Sequence, residues 1–306
     1  MTTQVFGHKA PDTDSTGAPL VWAWYLSEER GEPAEAVLLG EPAAEPAFVL
    51  ERWGVEAPRV VSDVEPGQRV VLVDTNNPAE LPAGLPQADV VQIIDHHRLT
   101  GGIETKGPIE ITVRPLACTV TVMAELMGDA IDRMPEGLRG MALSCILSDT
   151  LEFRSPTTTD TDRALAERLA EGLGVSIPDL AAEMFAAKSD VSGATAEELL
   201  RADSKETAVG GLKLRVTVLE TTAPGPVLER KAEILEAMPR VAAEDGVDEV
   251  LFFLVDILAE EATLFLPNER TRTIARKSFD AGVEGDTAVL PGVMSRKKQI
   301  IPVLAV

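Results

Sequence analysis

Two strand-length apolar runs, "RVVLVD" at 69–74 and "VVQIID" at 90–95, each stop on an aspartate. Val, Leu and Ile dominate both, without the polar alternation of a half-exposed strand. "EAVLLG" at 35–40 has the same character, and the segments between have helical or turn composition. Continuous apolar strands alternating with helices indicate a parallel sheet covered on both faces. The opening "QVFGH" at 4–8 reads as another strand. A helix is expected over 15–30, with Pro19 tolerable only as a first-turn residue. The fold class implied is α/β.

Between 119 and 187 the pattern turns helical, with apolar residues three or four apart. "SDVSGAT" at 189–195 is short, polar and Gly-containing, as a linker would be. Beyond it, apolar runs at 212–220, 247–258 and 262–267 surround a helical stretch at 225–244 and indicate a second α/β unit. The expected organisation is a first domain over 1–188, a linker or hinge over 189–194 and a smaller domain over 195–306.

Charge and targeting signals narrow the classes. With 28 basic against 50 acidic side chains the net charge is −22. That average field repels a phosphate-rich polymer, so no nucleic-acid partner is expected. No apolar stretch is long enough to span a membrane and no basic-then-apolar leader opens the chain, so a cytoplasmic protein without a membrane partner is expected. Only Cys118 and Cys145 are present, without CxxC spacing, and both read as reduced buried thiols.

The chemistry lies where the apolar runs end. Asp74 and Asp95 stand where parallel strands finish, the edge at which open α/β sheets bind ligands. Asp149 continues the apolar stripe of Leu138, Met141, Ala142, Cys145 and Ile146. An ionised carboxylate in such a place is costly unless paired or metal-bound. The chain has three histidines, His8, His96 and His97, and all follow apolar strands beside aspartates, in "GHKAPDTDS" and "IIDHHR". Imidazole with carboxylate suits Mn, Co, Mg or Zn, and with no cysteine nearby in sequence a thiolate zinc site is not expected. His8, Asp12, Asp14, Asp74, His96 and Asp149 exceed the needs of one ion. The surplus suggests two ions sharing a carboxylate, typically ~3.5–4 Å apart, as in phosphate ester and anhydride hydrolysis. In an otherwise acidic chain "SRKKQ" at 295–299 gathers Arg296, Lys297 and Lys298, groups suited to phosphate oxygens.

Taken in order, "GHKAPDTDS", "VDTNN", "DHHR", "PLACTVT", "SDTLEFRSPTTTDTD", "RADSKE" and "SRKKQ" resemble the motifs of the family II inorganic pyrophosphatases, the manganese- or cobalt-dependent branch of the DHH phosphoesterases. The resemblance spans nearly the whole chain. It implies a DHH domain with a mainly parallel sheet and a C-terminal domain with a mixed sheet. It implies hydrolysis of diphosphate to two phosphates through a metal-bridging hydroxide, with two Mn²⁺ per subunit, Co²⁺ as a substitute and further Mg²⁺ brought by the substrate. His8, Asp12 and Asp74 would bind the first ion, and Asp14, Asp74, His96 and Asp149 the second. His97 would act on the substrate, with Lys205, Arg296 and Lys297 holding its phosphates. Asp74, His97, Arg296 and Lys297 would thus form the catalytic set. Thr75 and Asn77 depart from the family's usual "DHNE". A homodimer is the family expectation, and an exopolyphosphatase or another DHH phosphoesterase is the alternative.

Overall fold

A computed structural model describes residues 2–279 and 282–306. The chain divides into two compact units, 1–187 and 188–306.

In the first unit β1 (Thr3–Phe6), β2 (Ala34–Ala36), β3 (Arg69–Val73), β4 (Asp89–Asp95) and β5 (Glu110–Val113) form one sheet in the order β2-β1-β3-β4-β5. Every pairing in it is parallel. The apolar runs behave as their composition requires, because Val70, Val71, Leu72 and Val73 are all essentially inaccessible. Val70 and Leu72 pack with Phe6, Val90, Ile93, Leu81 and Leu85 on one face, while alternate residues turn to the other. β5 carries no comparable apolar run, which is why the sequence did not single it out.

Helices α1 (Thr13–Trp24), α2 (Ala44–Arg52), α3 (Thr119–Met127), α4 (Glu136–Thr150), α5 (Asp160–Leu173) and α6 (Ile177–Lys188) complete the unit. Pro19 is not in a first turn. Asp12 caps α1 by accepting from the Ser15 N–H, so the helix starts at Thr13 and Pro19 falls in its interior. The cap won over the proline because it satisfies an otherwise orphaned helix-end donor.

The second unit holds α7 (Ala196–Arg201), β6 (Ser204–Val209), β7 (Leu212–Thr221), α8 (Gly225–Glu229), α9 (Lys231–Asp245), β8 (Glu249–Asp256), β9 (Glu261–Phe265), α10 (Glu269–Phe279), β10 (Val283–Glu284) and β11 (Thr287–Pro291). Its sheet runs β10-β11-β9-β8-β7-β6 and is mixed, with β7 and β8 parallel and the other pairs antiparallel. Along β8, Leu251, Phe253 and Val255 join the core that contains Ile274 of α10, while Val250, Phe252 and Leu254 join the core that contains Ile234 and Val241 of α9. The helical stretch at 225–244 is two helices, separated at Arg230. No helix among the described residues is long and apolar enough to cross a membrane.

The position of α4 is fixed by close packing on Trp53. A Cβ added at Gly140 would overlap the Trp53 ring, whose Nε1 donates to Ser144 Oγ at 3.0 Å. Gly140→Ala is therefore expected to destabilise the fold by about 1–3 kcal/mol, measured as a lower denaturant midpoint. An unchanged midpoint would mean that the indole can swing aside freely.

Candidate metal centre

The strand order places a topological switch at β1. Its neighbours β2 and β3 lie on opposite sides of it, and in open α/β sheets ligands bind at the carboxyl edge of such a point. His8 follows β1 and Asp74 follows β3, one on each side of that crevice. Asp12 and Asp14 arrive with the start of α1, His96 and His97 with the loop after β4, and Asp149 with the last turn of α4.

Asp74 stands at the middle. It is 2% exposed, and its φ of 58° is in the left-handed region that few non-glycine residues enter. In that conformation its N–H still donates to the Ile94 carbonyl at 3.0 Å. Its carboxylate turns one oxygen each way: Oδ2 is 3.6 Å from His8 Nε2 and Oδ1 is 3.3 Å from His96 Nε2. His8 Nε2 is also 3.5 Å from Asp12 Oδ2. His8, Asp12 and Asp74 thus offer ligand atoms within 4.8 Å of one another, and so do Asp14, His96 and Asp149. All six sequence-expected ligands come together.

Hydrogen bonds set the imidazole tautomers. The Leu116 carbonyl can only accept, so His96 Nδ1, 3.2 Å away, donates to it, and Nε2 faces the carboxylates. His97 Nδ1 lies 2.9 Å from Asp95 Oδ1 and 3.7 Å from Asp74 Oδ1. The ring is thus held by Asp95 while its other nitrogen stays available. Asp95 also accepts from the backbone N–H groups of His96 and His97 and from Asn76 Nδ2. The aspartate that ends β4 is therefore a fully engaged anchor for the loop. Asn76 extends the network by accepting from the Thr100 N–H.

The electrostatics call for a cation. Burial, then the charges of Asp14 and Asp12, push the Asp74 carboxyl well above the usual range; His8 and His97 only partly counter this. Burial, then Asp14 and Asp74, does the same to Asp149. Asp95 behaves oppositely: burial would raise it, but hydrogen bonds from His97 and Asn76 hold it below the usual value. The bond to Asp95 in turn raises the His97 pKa. Two buried oxygens, Asp14 Oδ1 and Asp149 Oδ2, have no hydrogen-bond partner among the described residues. Buried, crowded carboxylate oxygens with imidazole nitrogens between them fit divalent cations of the Mn, Co or Mg kind.

The cysteines are a correction. Far away in sequence, Cys118 and Cys145 are fully buried close to these acids, with Cys145 Sγ donating to the Thr13 carbonyl at 3.2 Å. Burial first, then the nearby Asp14 and Asp149, push both thiols well above their usual pKa. A thiol shifted in that direction is a poorer metal ligand than an ordinary cysteine. Thr75 and Asn77 also find a role: Thr75 Oγ1 and Asn77 Nδ2 donate to the two carboxylate oxygens of Glu80, at 2.7 and 3.0 Å. An open cavity of about 500 Å³, lined by His8, Lys9, Asn77, Glu80, His97 and Arg98, adjoins the cluster. Thr119, Asn76 and the Leu116 carbonyl had drawn no role from the sequence, because their partners lie on other elements.

In the second unit Lys205 is exposed on β6, and Arg296 and Lys297 open a short π-helical turn over Arg296–Ile300. Arg296 is paired with Asp203 at 2.8 Å and also donates to the Asp203 carbonyl, beside the start of β6.

Known proteins resemble this chain over nearly its whole length. The DHH family N-terminal domain matches residues 2–148 and the DHHA2 domain matches residues 182–305. A protein of Deinococcus radiodurans assigned as a manganese-dependent inorganic pyrophosphatase is 41% identical, over 98% of this chain and 96% of its own. One of Lactobacillus acidophilus with the same assignment is 35% identical over the same shares. The chain belongs to the manganese-dependent inorganic pyrophosphatase family. A crystal structure of a Methanococcus jannaschii protein assigned to family II inorganic pyrophosphatases has 34% identity and a TM-score of 0.62, covering 98% of this chain and 97% of that one. An exopolyphosphatase-related protein of Bacteroides fragilis, 12% identical with a TM-score of 0.51 over 98% of this chain and 89% of its own, shares the fold alone.

Because both ligand groups include or touch Asp74, Asp74→Asn is expected to lower bound Mn²⁺ at both positions. Metal analysis of the purified variant checks this, and full occupancy would show that Asp74 is not shared.

Proposed function

We propose that this chain hydrolyses inorganic pyrophosphate to two phosphates with a pair of Mn²⁺ ions. The observation that carries the reading is the Asp74 carboxylate, with one oxygen toward His8 and the other toward His96. His8, Asp12 and Asp74 would hold one ion, and Asp14, Asp74, His96 and Asp149 the other. Such a pair would supply Lewis acidity and would lower the pKa of water, the chemistry that a hydroxide-type attack on phosphorus needs. Co²⁺ is the expected substitute, and further Mg²⁺ would enter with the substrate.

The chain's own groups divide the remaining work. His97, held through Nδ1 by Asp95, offers its other ring nitrogen to a phosphate oxygen of a substrate in the adjoining cavity. Its raised pKa favours the protonated, donating form, which suits an anion. Lys205, Arg296 and Lys297 of the 195–306 domain are assigned to phosphate oxygens, where cations offset the charge growing on the leaving phosphate. Arg296 would have to exchange Asp203 for phosphate, a swap between two charge-assisted partners. We assign residues 1–188 to metal binding and 189–194 to a hinge. A cytoplasmic homodimer completes the reading.

Phosphate release from pyrophosphate should be seen with Mn²⁺ and Co²⁺ and be weaker with Mg²⁺ alone. Release from no metal form sinks the proposal, and faster turnover of long-chain polyphosphate would reassign the substrate. The histidine pair gives a second check. His97→Gln should keep its Mn²⁺ while losing about 10²–10⁴-fold in kcat, the usual contribution of a positioned proton donor. His96→Gln should lose metal. If both variants lose metal equally, the division of roles within the pair is wrong.

A further inference from the structure

Thr119 lies between the two carboxylates at the heart of the cluster. It is the first residue of α3 and fully buried. Its backbone N–H donates to Asp14 Oδ2 at 2.7 Å and its hydroxyl to Asp74 Oδ1 at 3.2 Å. Asp14 comes from α1 and Asp74 from the end of β3, so one residue ties together acids delivered by separate elements. The bonds are selective by atom. Asp14 keeps Oδ1 without a hydrogen bond. On Asp74, the oxygen taken is the one 3.3 Å from His96 Nε2, while Oδ2 is left to the His8 side.

Thr119 is itself anchored from behind. Cys118, the residue before α3, makes no side-chain cap hydrogen bond, so Asp14 provides the carboxylate at this helix N-terminus. Two residues earlier, the Ala117 N–H donates to Asp162 Oδ2 at 3.1 Å. Asp162 is fully buried and closes the capping box of α5 with Thr159. The 117–119 turn is thus clamped between the α5 N-terminus and the two acids. A hydroxyl so held can fix the rotation of the Asp74 carboxylate about its last bond.

We propose that Thr119 is the positioning residue of the centre: its hydroxyl sets the rotation of the Asp74 carboxylate and so the affinity of the ion bound by Asp14, His96 and Asp149. The inference rests on the two-ion reading above. An unconstrained carboxylate would rotate between monodentate and bidentate arrangements, and the ion sharing Oδ1 would be held less well. An ion on the His8 side would be held by Asp74, His8 and Asp12 and would depend less on this bond.

The test is calorimetric titration of the metal-stripped full chain with Mn²⁺. Thr119→Val keeps the volume and the backbone N–H but removes the hydroxyl. It should weaken one of two binding steps about 10–100-fold, the usual effect of losing a group that orients a metal ligand. Thr119→Ala should do the same and serves if the valine disturbs folding. Thr119→Ser keeps the hydroxyl and should bind both ions as wild type does. In a His96→Gln background, which lacks the affected ion, Thr119→Val should leave the remaining step unchanged. A serine variant as weak as the valine variant would show that packing, not the hydroxyl, matters. Wild-type affinity in both Thr119→Val and Thr119→Ala overturns this inference alone, whereas wild-type protein that binds no Mn²⁺ overturns the two-ion reading with it.

Discussion

Carboxylate repulsion at the carboxyl edge of a parallel sheet is the constraint from which the rest of the first unit follows. Burial first, and then the charges of Asp14 and Asp12, raise the pKa of both Asp74 and Asp149, and Asp74 adds to the shift of Asp149. Such a cluster persists in a folded chain only if something positive, or a dense set of donors, offsets the desolvation. Two oxygens without hydrogen-bond partners among the described residues show that protein donors alone do not complete it. Divalent ions would. Asp74 adds a local strain: a left-handed aspartate costs about 1–2 kcal/mol relative to the ordinary helical region. The conformation keeps the N–H on the Ile94 carbonyl while aiming the side chain across the crevice.

Around this cluster the hydrogen-bond partners are divided with little redundancy. Thr119 serves Asp14 and Asp74; the Leu116 carbonyl fixes His96; Asp95 takes three donors from the His96–His97 turn and one from Asn76. Glu80 is gripped by Thr75 and Asn77, which ties the segment after Asp74 back on itself. The outcome is a rim of carboxylates and imidazoles each oriented by hydrogen bonds from its own surroundings. Pre-orientation of this kind raises affinity because less side-chain entropy is lost on binding.

The acidic surface and the basic turn of the second unit are best understood together. At a net charge of −22 the chain disfavours polyanions in general. Lys205, Arg296 and Lys297 provide local cations against that background, and Arg296 is kept in place by its bond to Asp203.

Much of this was legible in one dimension. Apolar runs of Val, Leu and Ile without alternation can satisfy themselves only between two layers of helices, so the parallel sheet followed from burial alone. Strand-terminal Asp74 and Asp95 and the His96–His97 pair were visible because charged groups directly after buried strands need an explanation, and the spaced motifs carried the family. Other features could not be read that way. Pro19 fell in a helix interior because Asp12, by accepting from the Ser15 N–H, starts the helix earlier than the apolar pattern suggests. Cys118 and Cys145 came against Asp14 and Asp149 only through the packing of α1, α3 and α4. Thr119 looked like any helix-start threonine. Its two bonds exist because three elements converge, and hydrogen bonds between distant elements are set by tertiary geometry, which local composition does not encode.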